Sequence, residues 1–502
     1  MPDSQESARS AATGESAGEL TPLLNPVDEV VTTIVTIDEK PLPGRQVALL
    51  CLARVVEPVA FFAVFPYINQ MVQDNGGVAD ADVGFYSGLI ESLFSLTQAI
   101  VMLAWGRAAD RVGRKPVLVL SLVGMAAATA LFGLARSLPQ MIAFRCLAGL
   151  FAGTIVTIRT MLAEHSTPAT QARIFSWFAF SGNLGIFLGP LLGGVLADPL
   201  RQHGPGTTTI TKTPFLAAYP YALPGFVVAA LGFVAATMCA LFVDETLVRG
   251  PGNDGNEADP TVSPTTSTIS TSTTPSLRYL VSAPGVAIVL YVYAHVMLLA
   301  FAYTALVPVF WFTPVRLGGL GFSPLQISAM MCINGASQAA WLLLVFPPLQ
   351  RRLGTNGVMR LCAAAYPVFL AVSPLVATLL RYAPDRLLGP ATTAFWIVTP
   401  PLLAVGSGVS MCFTAVQLAL NDVAPSPRLL GTLNALALTG SSAMRAFAPA
   451  AFTSLFAVGV RSQLLDGYAI WLLMVALGLG YVVAARYLPD YDALKKQREE
   501  EE

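Results

Sequence analysis

Long runs of apolar residues are the feature that most limits what this chain can fold into. The 502-residue sequence contains twelve such runs, several of them longer than 25 residues. A helix needs roughly 20 apolar residues to cross the hydrocarbon core of a bilayer, whereas the strands of a membrane barrel would alternate over short stretches. The runs therefore predict an all-α integral membrane protein with twelve transmembrane helices. They cover residues 46–72, 84–108, 116–136, 139–162, 171–197, 219–243, 285–314, 325–348, 358–380, 391–420, 429–459 and 466–488.

Composition excludes the main soluble classes. Only 12% of the residues are charged and 54% are apolar, whereas a soluble domain carries about 25% charged residues. The six cysteines are scattered through apolar runs without a C-x-x-C pair, so we expect neither a disulfide framework nor a zinc site. The net charge of −1 gives no reason to expect a nucleic-acid partner. No motif of covalent, phosphate-binding or metal-dependent catalysis is present, so we expect no enzyme, no cofactor and no metal.

Polar segments divide the chain. We expect a disordered N-terminal tail over 1–44, which holds eight acidic and two basic residues, and a charged tail over 489–502. A linker over 244–283 separates a six-helix bundle at 45–243 from a second one at 284–488. Within the linker, 12 of the 16 residues from Thr261 to Ser276 are Ser or Thr, a composition that cannot bury enough apolar surface to fold.

Positive charge is concentrated in alternate loops. Lys and Arg are more frequent in the segments that share a side with the N-terminus than in the other loops. The positive-inside rule then places both termini in the cytoplasm. Glu19-Leu-Thr-Pro-Leu23-Leu24 is similar to an acidic dileucine sorting signal for the vacuole, and the plasma membrane and the vacuolar membrane both remain open.

The two bundles show signs of an internal duplication. Short similar segments recur in the same order at a nearly constant offset of 241 to 259 residues. Two parallel six-helix repeats joined by a linker are an arrangement of secondary transporters, with the substrate site between the repeats near the midplane. The matched segments begin at Val64 and Leu306, Arg111 and Arg352, Gly149 and Gly406, and Gly189 and Ala448.

The loop after the second run carries a motif of small and charged residues. The segment Trp105 to Lys115 resembles the G-x-x-x-D-R-x-G-R-[KR] signature of the major facilitator superfamily, at its usual place between the second and third spans. The resemblance implies a cytoplasmic gate that latches when the transporter faces outward; the alternative is that the basic residues only set topology. The gate residues are Gly106, Asp110, Arg111, Gly113 and Arg114.

The fifth run carries a second motif. It resembles the antiporter signature G-x-x-x-G-P-x-x-G-G of exporting members of the superfamily, and its Ser resembles the longer form in the zinc-induced-facilitator-like group. Gly at i and i+4 lets two helices approach closely, and Pro bends a helix; the alternative is a packing face alone. The residues are Ser176, Gly185, Gly189, Pro190, Gly193 and Gly194.

The chain is therefore similar to the drug:proton antiporter branch, and to fungal members like the zinc-induced facilitators. The resemblance covers nearly the whole chain apart from the tails and the linker. It implies the twelve-helix major facilitator fold, a small-molecule substrate exchanged for protons in a lipid bilayer, and a monomer. Arg145 and Gly149 match the family's R-x-x-x-G element, although Ala148 replaces the Gln often found there.

Ionisable residues at membrane depth mark a transport pathway by default. At ~1.5 Å per residue, Glu57 lies ~16 Å into the first span and Glu91 ~10 Å into the second. Together with Arg145 they are the candidates for proton coupling. Glu57 can instead pair locally with Arg54, and Glu91 can serve core hydrogen bonding.

His295 and Arg445 are candidates for the substrate cavity. His295 lies one turn from Leu299, the repeat counterpart of Glu57. His295 and Glu57 can therefore face one cavity; the alternative is that His295 is a structural histidine. Arg445 can bind an anionic group or be held by helix carbonyls. Tyr67 and Tyr291 are the aromatic candidates, and packing is the alternative for both.

Several functions are compatible with these residues. The leading hypothesis is a proton-coupled exporter of small organic molecules, such as drugs, toxins or secondary metabolites. A proton-coupled nutrient symporter and a transport-inactive receptor or scaffold are the alternatives. A metal carrier ranks lower because His165, His203 and His295 are scattered along the chain.

Overall fold

The computed structural model describes residues 43–167, 170–203, 214–247, 277–381 and 390–491. Most of the tail predicted at 1–44, of the linker predicted at 244–283 and of the tail predicted at 489–502 lies outside these residues.

In the described residues the regular secondary structure is helical, and its long segments follow the predicted apolar runs. Short helices also occur at Ile68–Gly76, Pro199–His203, Pro214–Ala218 and Leu277–Ser282. We number the twelve long helices in chain order, and two of them, α4 and α10, consist of two segments each. They are α1 (Gly44–Phe62), α2 (Val83–Val112), α3 (Arg114–Gly133), α4 (Leu138–Leu150 and Thr154–Glu164), α5 (Gln171–Leu196), α6 (Ala222–Phe242), α7 (Val286–Phe312), α8 (Pro324–Ala340), α9 (Phe346–Arg381), α10 (Pro390–Gly406 and Met411–Asp422), α11 (Pro427–Ser462) and α12 (Ala469–Arg486).

Ten helical stretches of the described chain are long and apolar enough to cross a membrane. One of them, Pro324–Thr378, contains 55 residues and would be about 80 Å long if straight, more than twice the thickness of the hydrocarbon core. It therefore crosses twice, and its helical geometry is interrupted at Gly354, where φ is 68°. α1 is the remaining span, and it carries Arg54 and Glu57 in its interior. The prediction of twelve spans is confirmed.

Irregular turns recur at corresponding places in the two halves. α4 is interrupted between Leu150 and Thr154, and α10 has a 3-10 turn at Ser407–Ser410. The two irregular segments are separated by about the same 257 residues that separate Gly149 from Gly406 in the sequence repeat. The reversal after α2 and the kink within α9 both use a glycine with positive φ, Gly113 at 127° and Gly354 at 68°. These pairs are structural counterparts of the sequence duplication.

The two halves meet along two pairs of helices, α2 with α11 and α5 with α8. The contact is close enough that a Cβ on Gly88 would lie 2.8 Å from the Pro449 carbonyl oxygen. On the other pair, Ser328 donates a hydrogen bond of 2.7 Å to the Pro190 carbonyl oxygen. Both contacts lie toward the end of the bundle that contains the turns after α1, α7 and α11. We call this end the sealed face.

Two ion pairs between the halves lie on the sealed face. Asp80 pairs with Arg316, and Asp82 pairs with Arg461. Both aspartates belong to the turn between α1 and α2, whereas the arginines belong to the C-terminal half. The turn between α1 and α2 therefore links the two halves, and we call it the strap.

The halves diverge toward the opposite end, which we call the open face. The ring of Phe187 lies 4.0 Å from the Cβ position of Gly335. Further toward the open face, Phe180 on α5 is 65% exposed and Leu343 beyond α8 is 72% exposed. This divergence gives the molecule a cavity that widens from the midplane to one side.

Candidate functional site

A cavity of about 260 Å³ lies between the halves near the middle of the helices. Charged side chains line one part of it, aromatic side chains line another, and residues of the C-terminal half form a third. We call it the central cavity. Its lining includes Arg54, Glu57, Glu91 and Arg445, the aromatic residues Phe61, Phe62, Phe65 and Phe301, and Ala300, Thr304 and Ala305 of α7.

Glu57 is held by two neutral donors. Gln98 Nε2 donates to Glu57 Oε1 at 2.7 Å, and the Thr154 hydroxyl donates to Glu57 Oε2. The interruption of α4 explains this arrangement, because Thr154 begins the second segment and Gln98 also donates to the Ala152 carbonyl oxygen at 3.1 Å. A helix break leaves backbone carbonyls without helical partners, and Gln98 binds one of them while it holds Glu57.

Arg145 is buried at the point where α1 ends. Its guanidinium donates to the carbonyl oxygens of Ala60 at 3.3 Å and Phe61 at 3.1 Å, in the last turn before the helix stops at Phe62. The last carbonyls of a helix lack partners and carry partial negative charge. The guanidinium also lies 4.6 Å from the centroid of the Phe94 ring. Helix end and aromatic ring together hold a cation in a mostly apolar place.

Glu91 is buried beside this cation. Its carboxyl group and the Arg145 guanidinium interact electrostatically across the space between α2 and α4, and Glu91 also lines the central cavity. The structure thus places Glu57 and Glu91 in the lining of the central cavity, with Arg145 buried behind this lining and near enough to Glu91 for an electrostatic interaction, although no direct ion pair joins the two.

Arg445 supplies the charge of the C-terminal half. It lies 4.4 Å from the centroid of the Phe61 ring and interacts electrostatically with Glu57. Arg54, which the sequence suggested only as a local partner for Glu57, also lines the cavity and stacks on Phe178 at 5.0 Å. Three arginines and two glutamates therefore share this part of the molecule.

The other three cavity candidates lie elsewhere. His295 Nε2 is 2.9 Å from the Leu477 carbonyl oxygen of α12, so this side chain lies between α7 and α12. Tyr291, one turn earlier, is 55% exposed. Tyr67 is buried and stacks on Tyr221 at 5.7 Å within the N-terminal half. The lining of the central cavity includes none of these three described residues.

Sequence reasoning missed Gln98, Thr154 and the role of Arg54. Arg54 lies three residues before Glu57 and so shares its helix face, a signal that was available. The positions of Gln98 and Thr154 depend on where α4 breaks, which no local pattern marks.

Three of the predicted gate residues, Asp110, Gly113 and Arg114, make contacts at the open face. Arg114 pairs with Asp110 at 3.3 Å and with Glu164 at 3.0 Å. Gly113, with its positive φ, leaves room for a carboxylate, since a Cβ there would lie 2.5 Å from Glu245 Oε2. Gly106 is half-buried and Arg111 is exposed.

Glu245 occupies the N-terminus of α3. It accepts hydrogen bonds from the backbone N–H groups of Arg114 at 2.8 Å and Lys115 at 3.1 Å. Burial acts to raise the pKa of this carboxyl, but the backbone N–H groups of Leu247, Arg114, Lys115 and Thr246 together hold the pKa below its ordinary value. The N-terminus of a helix favours a carboxylate, so this contact fastens the end of α6 to the start of α3.

The residues of the second motif lie on two faces of α5. A Cβ on Gly185 or Gly189 would lie 2.8 Å from Pro58 or Phe62 of α1, and one on Gly193 would overlap the Ala63 carbonyl oxygen. Gly194 instead faces Pro324 and Ser328 of α8. The Pro190 carbonyl oxygen accepts the hydrogen bond from Ser328. Ser176 is exposed near the open face.

Comparison with known proteins agrees with this architecture. The family model of the Major Facilitator Superfamily matches residues 50–449. The chain is 46% identical over 447 residues to "Efflux pump azaK" of Aspergillus niger, covering 89% of this chain and 88% of that protein. It is 26% identical to "Protein ZINC INDUCED FACILITATOR-LIKE 1" of Arabidopsis thaliana, covering 87% and 89%. Among solved structures, a D-xylose-proton symporter superposes with a TM-score of 0.63 at 13% identity, covering 90% and 99%.

Proposed function

The chain belongs to the Major Facilitator Superfamily and is a multi-pass membrane transporter of small molecules, and from this premise we propose that it is a proton-coupled antiporter that exports small organic molecules by alternating access. The observation that carries the proposal is the buried carboxyl group of Glu91 in the wall of the central cavity, with the buried guanidinium of Arg145 nearby. A carboxyl group in this position can exchange a proton with the cavity, and its charge state acts on a cation that holds the end of α1.

The two acidic residues have different surroundings. Hydrogen-bond donors occupy both oxygens of Glu57, whereas Glu91 interacts with the Arg145 guanidinium electrostatically, without a direct ion pair. We therefore assign proton transfer to Glu91 and positioning of the cavity wall to Glu57. When Glu91 takes up a proton, Arg145 loses its counter-charge, and the relative free energies of the two access states change. When the proton leaves, the electrostatic attraction between Glu91 and Arg145 returns.

Substrate binding involves the other side of the same cavity. Arg54 and Arg445 present positive charge, and Phe61, Phe62, Phe65 and Phe301 supply apolar surface. A mostly apolar pocket with a few placed polar groups suits a small organic molecule. Because substrate and proton act on one cavity, binding of one opposes binding of the other, and exchange follows.

The direction of transport rests on two supports. One is the similarity at 46% identity to a protein named an efflux pump. The other is the Gly and Pro pattern of α5, typical of exporters in the superfamily. A nutrient symporter would share the fold, since a D-xylose-proton symporter superposes well, so the fold does not decide the direction.

Topology and assembly form part of the same proposal. We place the open face in the cytoplasm, because Arg111, Arg114, Lys115, Arg351 and Arg352 lie next to the chain reversals at Gly113 and Gly354 on this face. Both termini are then cytoplasmic, and the transporter acts as a monomer in the plasma or vacuolar membrane.

Proteoliposomes with the purified chain test the proposal. A panel of cationic, neutral and anionic organic compounds is added, and an internal pH dye reports proton movement. We expect substrate uptake to be accompanied by proton movement in the opposite direction. Glu91→Gln should abolish proton movement, while Asp244→Asn, which removes a carboxylate outside the cavity, should leave it intact. Protons and substrate moving in the same direction would indicate a symporter, and full coupling in Glu91→Gln would contradict the assignment.

A further inference from the structure

A second and larger cavity lies inside the C-terminal half. Its volume is about 430 Å³, and no charged residue occurs among the described residues that line it. α7 separates it from the central cavity, since Phe301 and Thr304 face the central one whereas Tyr303 and Trp311 line the second one. We call it the lateral cavity.

Two irregular turns shape its inner wall. A Cβ on Gly408 would lie 2.9 Å from the Trp341 ring, and one on Gly406 would overlap the Phe369 ring. Trp341 begins a π-helical turn after α8, and its indole N–H donates to the Ala404 carbonyl oxygen at 2.8 Å. Turns of this type are frequent at functional sites. Here they hold aromatic rings against a glycine backbone and leave an apolar space beside them.

The mouth of the lateral cavity faces the bilayer. Leu361, Val368 and Leu375 follow one another every seventh residue along α9, and all three are exposed, as expected for a stripe facing lipid. α9 packs on its other sides against α10 and α12. Leu361 and Val368 also line the cavity, together with the exposed Val405 of α10. The cavity rim is thus part of the lipid-facing surface between α9 and α10.

An apolar space of this size is destabilising when empty, and water does not fill apolar cavities. Hydrocarbon lies directly at the rim, and the volume falls within the range of sites that hold drug-sized ligands. We propose that an acyl chain of a membrane phospholipid enters between α9 and α10 and occupies the lateral cavity. Tyr303, Trp341 and Phe369 form the surface that it contacts.

Photo-crosslinking tests this site. The full chain is reconstituted in liposomes that contain a phosphatidylcholine with a diazirine in the middle of one acyl chain, and adducts are mapped by mass spectrometry after illumination. We expect adducts on the inner-wall residues Tyr303, Trp341 and Phe369 in addition to the outer stripe.

Two neighbouring alanines provide matched variants. Both are exposed on α9, but Ala365 lines the lateral cavity and Ala364 is not part of the lining. Ala365→Phe should lower the inner-wall adducts at least about threefold, because the ring takes the volume that the chain needs. Ala364→Phe should leave them unchanged.

Three results would overturn the proposal. The first is labelling of the unmodified protein confined to the outer stripe, which decides the matter even if a variant fails to fold. The second is equal inner-wall labelling in the two folded variants. The third is inner-wall labelling by a free diazirine alkane but not by the phosphatidylcholine, which would make a dissolved apolar molecule the occupant instead of a lipid chain.

Discussion

At the scale of single residues, Arg145 combines tasks that few side chains can perform together. Its planar guanidinium donates to two successive carbonyl oxygens of α1, stacks near Phe94 and faces Glu91. Arg offers several donors in a rigid fork, whereas the ammonium group of Lys is a single compact charge. The end of α1 and the charge of Glu91 are therefore linked through one side chain.

We expect Arg145→Ala to abolish coupled transport and to destabilise the protein by roughly 1–3 kcal/mol, because two buried carbonyl groups of α1 lose their hydrogen-bond donor. Arg145→Lys should restore part of the stability and little of the coupling. Dye-based pH recording in proteoliposomes and thermal unfolding in detergent measure the two effects. Arg159→Ala, which removes an exposed arginine near Phe175, is the control. Normal coupling in Arg145→Ala would contradict the role given to this residue.

Glu57 provides a second test among single residues. Because its oxygens accept hydrogen bonds from Gln98 and Thr154, Glu57→Gln should weaken substrate affinity through a misplaced cavity wall and keep proton movement. Thr154→Val should also weaken substrate affinity, but by less: about 1 kcal/mol or fivefold, as expected for the loss of one hydrogen bond. Substrate titration with simultaneous pH recording separates the two quantities. Loss of proton movement with unchanged affinity would reverse the assignments of Glu57 and Glu91.

At the scale of elements, the packing of α5 on α1 depends on glycine. Gly185, Gly189 and Gly193 lie on one stripe of α5 and leave no room for a side chain against α1. At Gly193 the neighbour is a backbone carbonyl, which cannot turn aside as a side chain can.

Gly193→Ala should therefore lower stability by about 1–3 kcal/mol, the usual range for overpacking. Gly431→Ala on α11 is the matched control, since nothing lies within 4 Å of its Cβ position and alanine is the better helix former. Thermal unfolding followed by intrinsic fluorescence compares them. An unchanged midpoint for Gly193→Ala would mean that α1 and α5 are less tightly packed than the structure shows.

The joint between α3 and α6 predicts a dependence on pH. The backbone N–H groups hold the pKa of Glu245 below its ordinary value of 4.5 in the folded protein. The stabilisation from this group is therefore complete above the unfolded pKa, and it is lost as the pH falls through the lower folded value. Glu245→Gln should reduce the unfolding midpoint at neutral pH, and the difference from the unmodified chain should shrink in acid. A difference that stays constant from neutral to acidic pH would contradict this account.

The sequence predicted the positions of the helices better than it predicted which side of each helix faces the cavity. The twelve helices follow from apolar length alone, and Gly113 and Gly354 follow from the duplicated loop. His295 shows where such reasoning ends: the repeat offset gives its height along α7, but α7 is apolar all round, so no pattern indicates which side faces the cavity. Glu57, Glu91 and Arg145 were found because charges at membrane depth are rare. Their partners Gln98 and Thr154 were not, because uncharged polar residues are common in such helices.

At the scale of the whole molecule, the sealed face is closed by helix contacts and by the strap with Asp80 and Asp82. Exposed ion pairs contribute little individually, but these two join the halves, so they act directly on the equilibrium between access states.

Asp82→Arg should open the sealed face by placing like charges opposite each other. Maleimide labelling of a cysteine introduced at the buried position Thr453 should rise roughly two- to fivefold, a shift of up to about 1 kcal/mol. The exchange variant Asp82→Arg with Arg461→Asp should return labelling to its original level. Increased labelling that the exchange does not reverse would show that the pair with Arg461 does not hold the face closed.

The position of α7 has a consequence for transport in different membranes. The helix is a partition one helix thick, with the central cavity on one side and the proposed hydrocarbon-filled lateral cavity on the other. Any tilt of this partition that enlarges one cavity compresses the other. The length and saturation of the surrounding fatty acids would then change the turnover rate, so that the same transporter works at different rates in thick and thin bilayers.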